Sequence, residues 1–210
     1  VYIRTFGCQM NVRDSEVICG LLKKEGYRIT DDVYKADIVL FNTCSVRQHA
    51  EDKVWSAIGR FSKNLSGTVP IIGLFGCMAQ EHKEQIFQRA PNVDFVVGPQ
   101  DLHKISEIIK SFTGKRGQSP KSGDSPLFSR KIWETDGDIR PEEIYHTGFY
   151  QDKNHAFVVI SEGCSNFCSY CVVPYVRGRL RNRNYKDILK EIEEAVDNGI
   201  TGITLLGQNV

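Results

Sequence analysis

Four times along this chain an apolar run closes on a cysteine: "VYIRTFGC" at Cys8, "DIVLFNTC" at Cys44, "VPIIGLFGC" at Cys77 and "HAFVVISEGC" at Cys164. Helix-like segments follow the first three. Asn11 is expected to cap a helix with Val17, Ile18, Leu21 and Leu22 on one face and Gly26 as its stop. "SVRQ" has the spacing of a capping box and opens a helix with Val54, Trp55, Ile58 and Phe61 on one stripe. A third helix runs through Ile86 and Phe87 and stops before Pro91; "VDFVVG" and a helix with Leu102, Ile105, Ile108 and Ile109 complete the series. Runs that are apolar on both faces and alternate with helices specify a parallel sheet covered on both sides. The expected fold is therefore α/β, with a doubly wound parallel-sheet domain over residues 1–112.

Residues 113–150 break the rhythm. "TGKRGQSPKSGDSP" is rich in Gly, Ser, Pro and Lys, and the segment reads as an interdomain linker. A second unit occupies 151–210. Its strand "HAFVVIS" precedes a helix capped by Asn184, with Ile188, Leu189, Ile192, Ala195 and Val196 expected inside and Gly199 as the stop, and "ITGITLLG" follows as a strand. One βαβ unit does not close a barrel. The chain opens at Val1 without a methionine and stops at "LLGQNV", so the expectation is a piece of something longer.

Composition excludes some classes. No apolar stretch reaches the roughly 18 residues of a membrane span, and no signal-peptide pattern opens the chain. A net charge of +1 puts any basic footprint in a local patch. Seven cysteines are an odd number, without the spacing of a stapled secreted scaffold. Thiols kept reduced point to the cytoplasm.

In an open parallel sheet, ligands collect at the carboxyl ends of the strands. Cys8, Cys44 and Cys77 share that topological position and so form one candidate metal site. A buried cysteine is by itself commonplace; it is the recurrence that carries the reading. Two thiolates about 4 Å apart repel by roughly 4 kcal/mol at an effective dielectric near 20, so three require a cation. Three protein ligands leave a metal position open. Zinc with His49 or His82 as a fourth ligand stays open on these grounds. Cys19 lies inside a helix and reads as structural.

"GCSNFCSYC" places Cys164, Cys168 and Cys171 at C-x3-C-x2-C. Such a loop wraps three corners of a cubane [4Fe–4S] cluster and leaves the fourth iron without a protein ligand, whereas a ferredoxin supplies a fourth cysteine. Beyond it, "RGRLRNRNYK" carries Arg177, Arg179, Arg181, Arg183 and Lys186, flanked by Tyr175 and Tyr185. Arginines among stacking surfaces are the footprint of an RNA or of a cofactor carboxylate, and a solvated loop is the plainer alternative.

The C-x3-C-x2-C spacing with Tyr170 before the last cysteine resembles the radical S-adenosylmethionine signature. "FGCQMN", "NTCSVR", "GCMAQ", "SEGCSNFCSYCVVPYVRGR" and "LLGQNV" resemble, in that order, the methylthiotransferases of that superfamily, and most closely the MiaB branch, which modifies tRNA. The resemblance implies two [4Fe–4S] clusters and S-adenosylmethionine. Cys164, Cys168 and Cys171 would hold the radical-generating cluster. Cys8, Cys44 and Cys77 would hold an auxiliary cluster that carries the sulfur to be inserted. Tyr170 would lie against the adenosyl group, with packing under the loop as the alternative. The implied reaction adds a methylthio group to C2 of an isopentenylated adenosine beside the tRNA anticodon. The partners are tRNA and an electron donor such as flavodoxin or ferredoxin, with no membrane and a monomeric protein. Members of the family continue into a partial (β/α) barrel and a TRAM domain, so residues 151–210 are expected to be the barrel's beginning and the activity that of a longer protein. A ribosomal-protein aspartate methylthiotransferase and a non-catalytic iron–sulfur electron-transfer module are the competing readings.

Overall fold

The computed structural model describes residues 1–46, 48–63, 69–113, 131–137 and 139–209, with the backbone alone described at 48–50 and 62–63. Five parallel strands lie side by side in chain order: β1 (Tyr2–Thr5), β2 (Ile38–Thr43), β3 (Ile71–Gly76), β4 (Phe95–Val97) and β5 (Ile132–Glu134). Every position of β2 and β3 is buried, as a sheet with both faces covered demands.

On one face, Ile18 and Leu22 of α1 (Gln9–Lys24) pack with Leu40, Phe75 and Phe95 of the sheet. Further along the chain come α2 (Gln48–Lys63), α3 (Cys77–His82), α4 (Ile86–Arg89) and α5 (Ile105–Thr113). Ile105, Ile108 and Ile109 of α5 join α1 on its face. The opposite face takes Val54, Ile58 and Phe61 of α2 with Met78 and Ile86, against Phe41, Leu74 and Val96. Each such side chain, fully buried, contributes about 1.5–3 kcal/mol. The doubly wound parallel sheet expected from the sequence is the one observed.

Two details differ from expectation, and a third falls outside the described residues. Helix α1 begins at Gln9, with Cys8 as its N-cap in place of Asn11. The helix expected through Ile86 is broken into α3 and α4 by a 3-10 turn at Lys83–Gln85, where Lys83 has φ +48°. The capping box of "SVRQ" rests on Arg47 and the Gln48 side chain, which lie outside the described residues.

The linker expected over 113–150 is corrected in its second part. Phe95 to Val97 pair in parallel with Ile132 to Glu134, so β5 extends the sheet. A 3-10 turn at Glu142–Tyr145 then buries Ile144 and Tyr145 against Met10, Val17 and Val159. Two buried residues and a ladder strand are enough to bind this stretch into the packed body; residues 114–130 lie outside the described part.

Strand β6 (His155–Val159) pairs in parallel with β9 (Gly202–Leu206), and α7 (Tyr185–Asp197) crosses between them. Short strands β7 (Ser161–Glu162) and β8 (Arg181–Asn182) pair antiparallel, with α6 (Val173–Val176) inside that connection. Asn184 caps α7 as expected, its side chain accepting from the Lys186 amide at 3.0 Å. The inward face of α7 is the expected one only in part: Ala195 is buried and Ile188 and Ile192 are half-buried. Leu189 and Val196 are 52% and 55% exposed, while Glu191 is fully buried because it meets Arg13 and Arg183.

Candidate metal centres

Cys8, Cys44 and Cys77 leave the ends of β1, β2 and β3 and line one cavity of about 220 Å³ together with Val173, Arg177 and Gln208. The glycine before a cysteine explains how the strand end is turned. Gly7 and Gly76 have φ of +142° and +102°, where L side chains are strained. A Cβ on Gly76 would lie 2.5 Å from the Thr43 carbonyl oxygen, and one on Gly7 would lie 2.3 Å from Asn11 Oδ1.

Asn11, expected as a helix cap, and the polar side chains of Asn42, Ser15 and Thr43 hold these ends together. Asn11 Nδ2 donates to Asn42 Oδ1 (2.9 Å) and to the Thr43 carbonyl (3.1 Å), while Asn42 Nδ2 donates to the Asn11 carbonyl (2.7 Å) and Ser15 Oγ (2.9 Å). Asn11 Oδ1 also accepts from the Cys8 amide at 3.3 Å. Thr43 Oγ1 donates to the Phe75 carbonyl at 2.8 Å, so the end of β2 is fastened to β3 one residue short of Gly76. The signal available in the sequence was a polar stripe, Asn11, Asp14 and Ser15 at helical spacing, on the helix whose Val17, Ile18 and Leu22 face the core.

Burial raises the Cys44 thiol above its ordinary pKa, against a hydrogen bond from the Val46 amide. Cys19 is buried in α1 and pushed up to about 11 by that burial, which makes it an inert structural thiol. One trio of ligand side chains among the described residues has its donor atoms all within 4.8 Å of one another: Glu51, Glu81 and His82. His82 bonds Glu51 at 3.1 Å and does not line the cysteine cavity; the His49 side chain lies outside the described residues.

The C-terminal trio sits on the loop between β7 and α6. Cys164 is buried, Cys171 half-buried and Cys168 exposed. Gly163, with φ +72°, repeats the glycine–cysteine device, and its amide donates to Gln208 Oε1 at 2.7 Å. The Cys171 amide donates to the Cys168 carbonyl at 2.9 Å and the Cys164 amide to the Gly178 carbonyl at 3.1 Å. Tyr170 is 90% exposed, so packing under the loop does not describe it. Phe167, at φ +46°, meets Tyr175 edge-on with ring centroids 5.9 Å apart.

The arginines of the basic loop divide. Arg179 is exposed and Arg181 half-buried, and both line a groove with Tyr175 and Ile139. Arg177 and Arg183 are corrected as candidates for an RNA phosphate or a cofactor carboxylate: both are buried, and protein carboxylates already face them. Arg183 pairs with Glu191 at 2.5 Å and with Asp187, donates to the Val159 carbonyl, and stacks over Tyr145 at 4.1 Å. Arg177 Nη2 pairs with Asp14 Oδ2 at 2.7 Å, and its Nε donates to Cys77 Sγ at 3.3 Å. Its buried Nη1 has no hydrogen-bond partner and stands 3.7 Å from Glu162. Asp14 receives Arg140 as well, at 2.7 Å. Burial pushes the Asp14 carboxyl up, but the two guanidinium groups outweigh it and hold it below the usual carboxylate range. This ion network joins the two units. Removing one member of such a buried pair costs about 3–5 kcal/mol, because a charge is left uncompensated.

Residues 158–210 match the model of the Radical SAM superfamily, and residues 1–98 match that of the Uncharacterized protein family UPF0004. In this order the chain is similar to UPF0004 over its first part and to the Radical SAM superfamily over its last. Over its whole length it is similar to proteins named tRNA-2-methylthio-N(6)-dimethylallyladenosine synthase, 44% identical in Geobacter sulfurreducens, 40% in Petrotoga mobilis and 43% in Delftia acidovorans. It spans about 45% of the length of each of these relatives. Among solved structures it is similar in fold to the radical S-adenosylmethionine methyltransferase TsrM from Kitasatospora setae, with a TM-score of 0.58 and 12% identity, over 99% of this chain and 47% of that one. The superfamily match implies a [4Fe–4S] cluster and S-adenosylmethionine. No helix among the described residues is long and apolar enough to cross a membrane.

Proposed function

We propose that the protein to which this chain belongs is a radical methylthiotransferase that adds a methylthio group to C2 of N6-isopentenyladenosine in tRNA, beside the anticodon. The observation that carries the reading is the pairing of two cysteine trios. One lies on a C-x3-C-x2-C loop inside the radical SAM match, and the other lines a cavity at the carboxyl end of the UPF0004 sheet. The name borne by relatives 38–44% identical over the whole chain supports tRNA as the substrate.

In this reading Cys164, Cys168 and Cys171 hold the cluster that binds S-adenosylmethionine, and Cys8, Cys44 and Cys77 hold an auxiliary [4Fe–4S] cluster. Their donor chemistry fits, since three thiols converge without a carboxylate among the residues lining the cavity, and Arg177 beside them keeps an unpartnered buried N–H. When bound and supplied with an electron, the first of these groups provides a 5′-deoxyadenosyl radical from S-adenosylmethionine. The chain's own residues do the rest of the positioning. The Asn11–Asn42 pair sets Cys8 against Cys44, Thr43 sets β2 against β3, and Arg177 spans from the radical loop to Cys77. In the same reading Tyr170 meets the adenosyl group and Arg179 and Arg181 meet tRNA; the exposure of Tyr170 and Arg179 supports this. The five-stranded sheet with its helices, β5 included, forms the methylthiotransferase domain, and 151–210 open the radical SAM barrel. The protein works in the cytoplasm as a monomer, with flavodoxin or ferredoxin as electron donor.

The test is anaerobic reconstitution of the full-length protein with iron and sulfide, followed by dithionite, S-adenosylmethionine and isopentenylated tRNA. About eight irons, 5′-deoxyadenosine and a 2-methylthio nucleoside are expected from two four-iron clusters. Product on a ribosomal-protein aspartate in place of tRNA would move the substrate, and absence of 5′-deoxyadenosine would leave only an electron-transfer module.

A further inference from the structure

Arg177 lies six positions past Cys171 on the radical loop, yet its side chain ends at the other cysteine trio. Helix α6 makes the connection: its Val173 carbonyl accepts from the Arg177 amide at 2.8 Å, and Pro174 and Val176 are buried. The backbone is pinned from outside too, since Gln100 Nε2 donates to the Arg177 carbonyl at 3.1 Å. The guanidinium is 2% exposed and held on one side by Asp14, itself fixed by Arg140. Arg140 is anchored in turn by the Pro99 carbonyl and Glu162. A planar fork fixed at one end can aim its remaining N–H groups with little loss of freedom, and here Nε points its hydrogen at Cys77 Sγ over 3.3 Å.

An N–H donated to a thiolate sulfur withdraws electron density from the metal it binds. A fixed positive charge in a water-poor site favours the more negative member of any redox pair. Neither effect requires the guanidinium to gain or lose a proton, because arginine stays charged.

We infer that Arg177 is a positioning residue of the Cys8–Cys44–Cys77 site: locked by Asp14, it donates to the Cys77 sulfur and raises the one-electron reduction potential of the iron–sulfur group held there. The inference rests on the assignment of that group in the proposed function. It also gives the radical loop a direct hold on the second site, because Arg177 and Cys171 belong to one short segment of chain.

The experiment uses the full-length protein with Cys164, Cys168 and Cys171 all changed to Ala, so that a single iron–sulfur group remains. After anaerobic reconstitution, iron is counted and the one-electron reduction by dithionite is followed by electron paramagnetic resonance at stepped potentials. Arg177→Gln is expected to shift the reduction equilibrium about tenfold toward the oxidised form, about 59 mV for one electron. Arg177→Lys, which keeps the charge but cannot serve Asp14 and Cys77 together, is expected to shift it in the same direction by less. An unchanged midpoint in Arg177→Gln at wild-type iron content overturns the inference. Should that variant fail to fold, an unchanged midpoint in Arg177→Lys overturns it equally. Absence of iron in the parent with Cys8, Cys44 and Cys77 intact overturns the cluster assignment itself, and iron analysis tells that failure apart from a mere failure of Arg177.

Discussion

Asn11 and Asn42 hold each other twice, side chain to side chain at 2.9 Å and side chain to backbone at 2.7 Å, between the helix that starts at Cys8 and the strand that ends before Cys44. Both are fully buried. An amide pair of this kind has little slack, because each unmade hydrogen bond would leave a buried polar group unsatisfied at about 1–3 kcal/mol.

Asn42→Ala should therefore loosen the first cysteine trio before it unfolds the sheet. The expected outcome is a loss of about 1–3 kcal/mol in chemical denaturation, with iron binding at Cys8, Cys44 and Cys77 reduced and that at the C-terminal loop retained. Equal iron loss from both trios would show that Asn42 serves the fold alone.

Cys77→Ala separates the two trios by function. In the reconstituted full-length protein it should leave 5′-deoxyadenosine formation intact and abolish the methylthio product. If neither output changes, Cys77 is not a ligand of a working group.

Arg179 and Arg183 should part company when each is changed to Ala. Arg179, exposed on the groove rim, should lower the salt slope of tRNA binding by about one and leave stability near wild type. Arg183, buried among Glu191, Asp187 and Tyr145, should cost about 3–5 kcal/mol of stability. A salt slope that responds to Arg183→Ala in protein that remains folded contradicts this division.

His146 makes stability depend on pH. Burial disfavours its charged ring, but hydrogen bonds to Glu194 (2.8 Å) and Asp187 (2.7 Å) outweigh that and raise its pKa above the usual histidine value. A raised histidine contributes stability that is full below its unfolded pKa, near about 6.5, and is lost as pH climbs through the higher folded value. The denaturation midpoint of the full-length protein should fall over that window, and His146→Gln should flatten the fall. Parallel pH curves for the two proteins would rule the histidine out.

How far the sequence discloses this architecture depends on range. Strands β1 to β4, and the cysteines that follow the first three, are legible because apolar runs and their terminal residues are local features, and a parallel sheet brings like ends together without further information. Strand β5 escapes because "KIWE" is short and follows a stretch rich in Gly, Ser and Pro; only the β4 edge gives it a partner. The arginines escape for the opposite reason. A run of charges reads as a solvated face, and the acids that meet Arg177 and Arg183 include Asp14 and Glu142, far away along the chain, beside the nearer Glu162, Asp187 and Glu191. Even the inward face of α7 is decided at long range, by Arg13 reaching Glu191 across 178 positions at 2.8 Å.

The glycine that precedes Cys8, Cys77 and Cys164 has a consequence for how kindred proteins are recognised. In all three cases its backbone adopts a positive φ that a side chain would strain, and a Cβ there would meet atoms within 2.5 Å. A homologue that keeps every cysteine but replaces one of these glycines would therefore present its sulfur in another direction. Matching by cysteine spacing alone would pass such a sequence as competent, whereas a pattern that also asks for glycine before the first, third and fourth strand-end cysteines, with Thr43 before the second, would reject it.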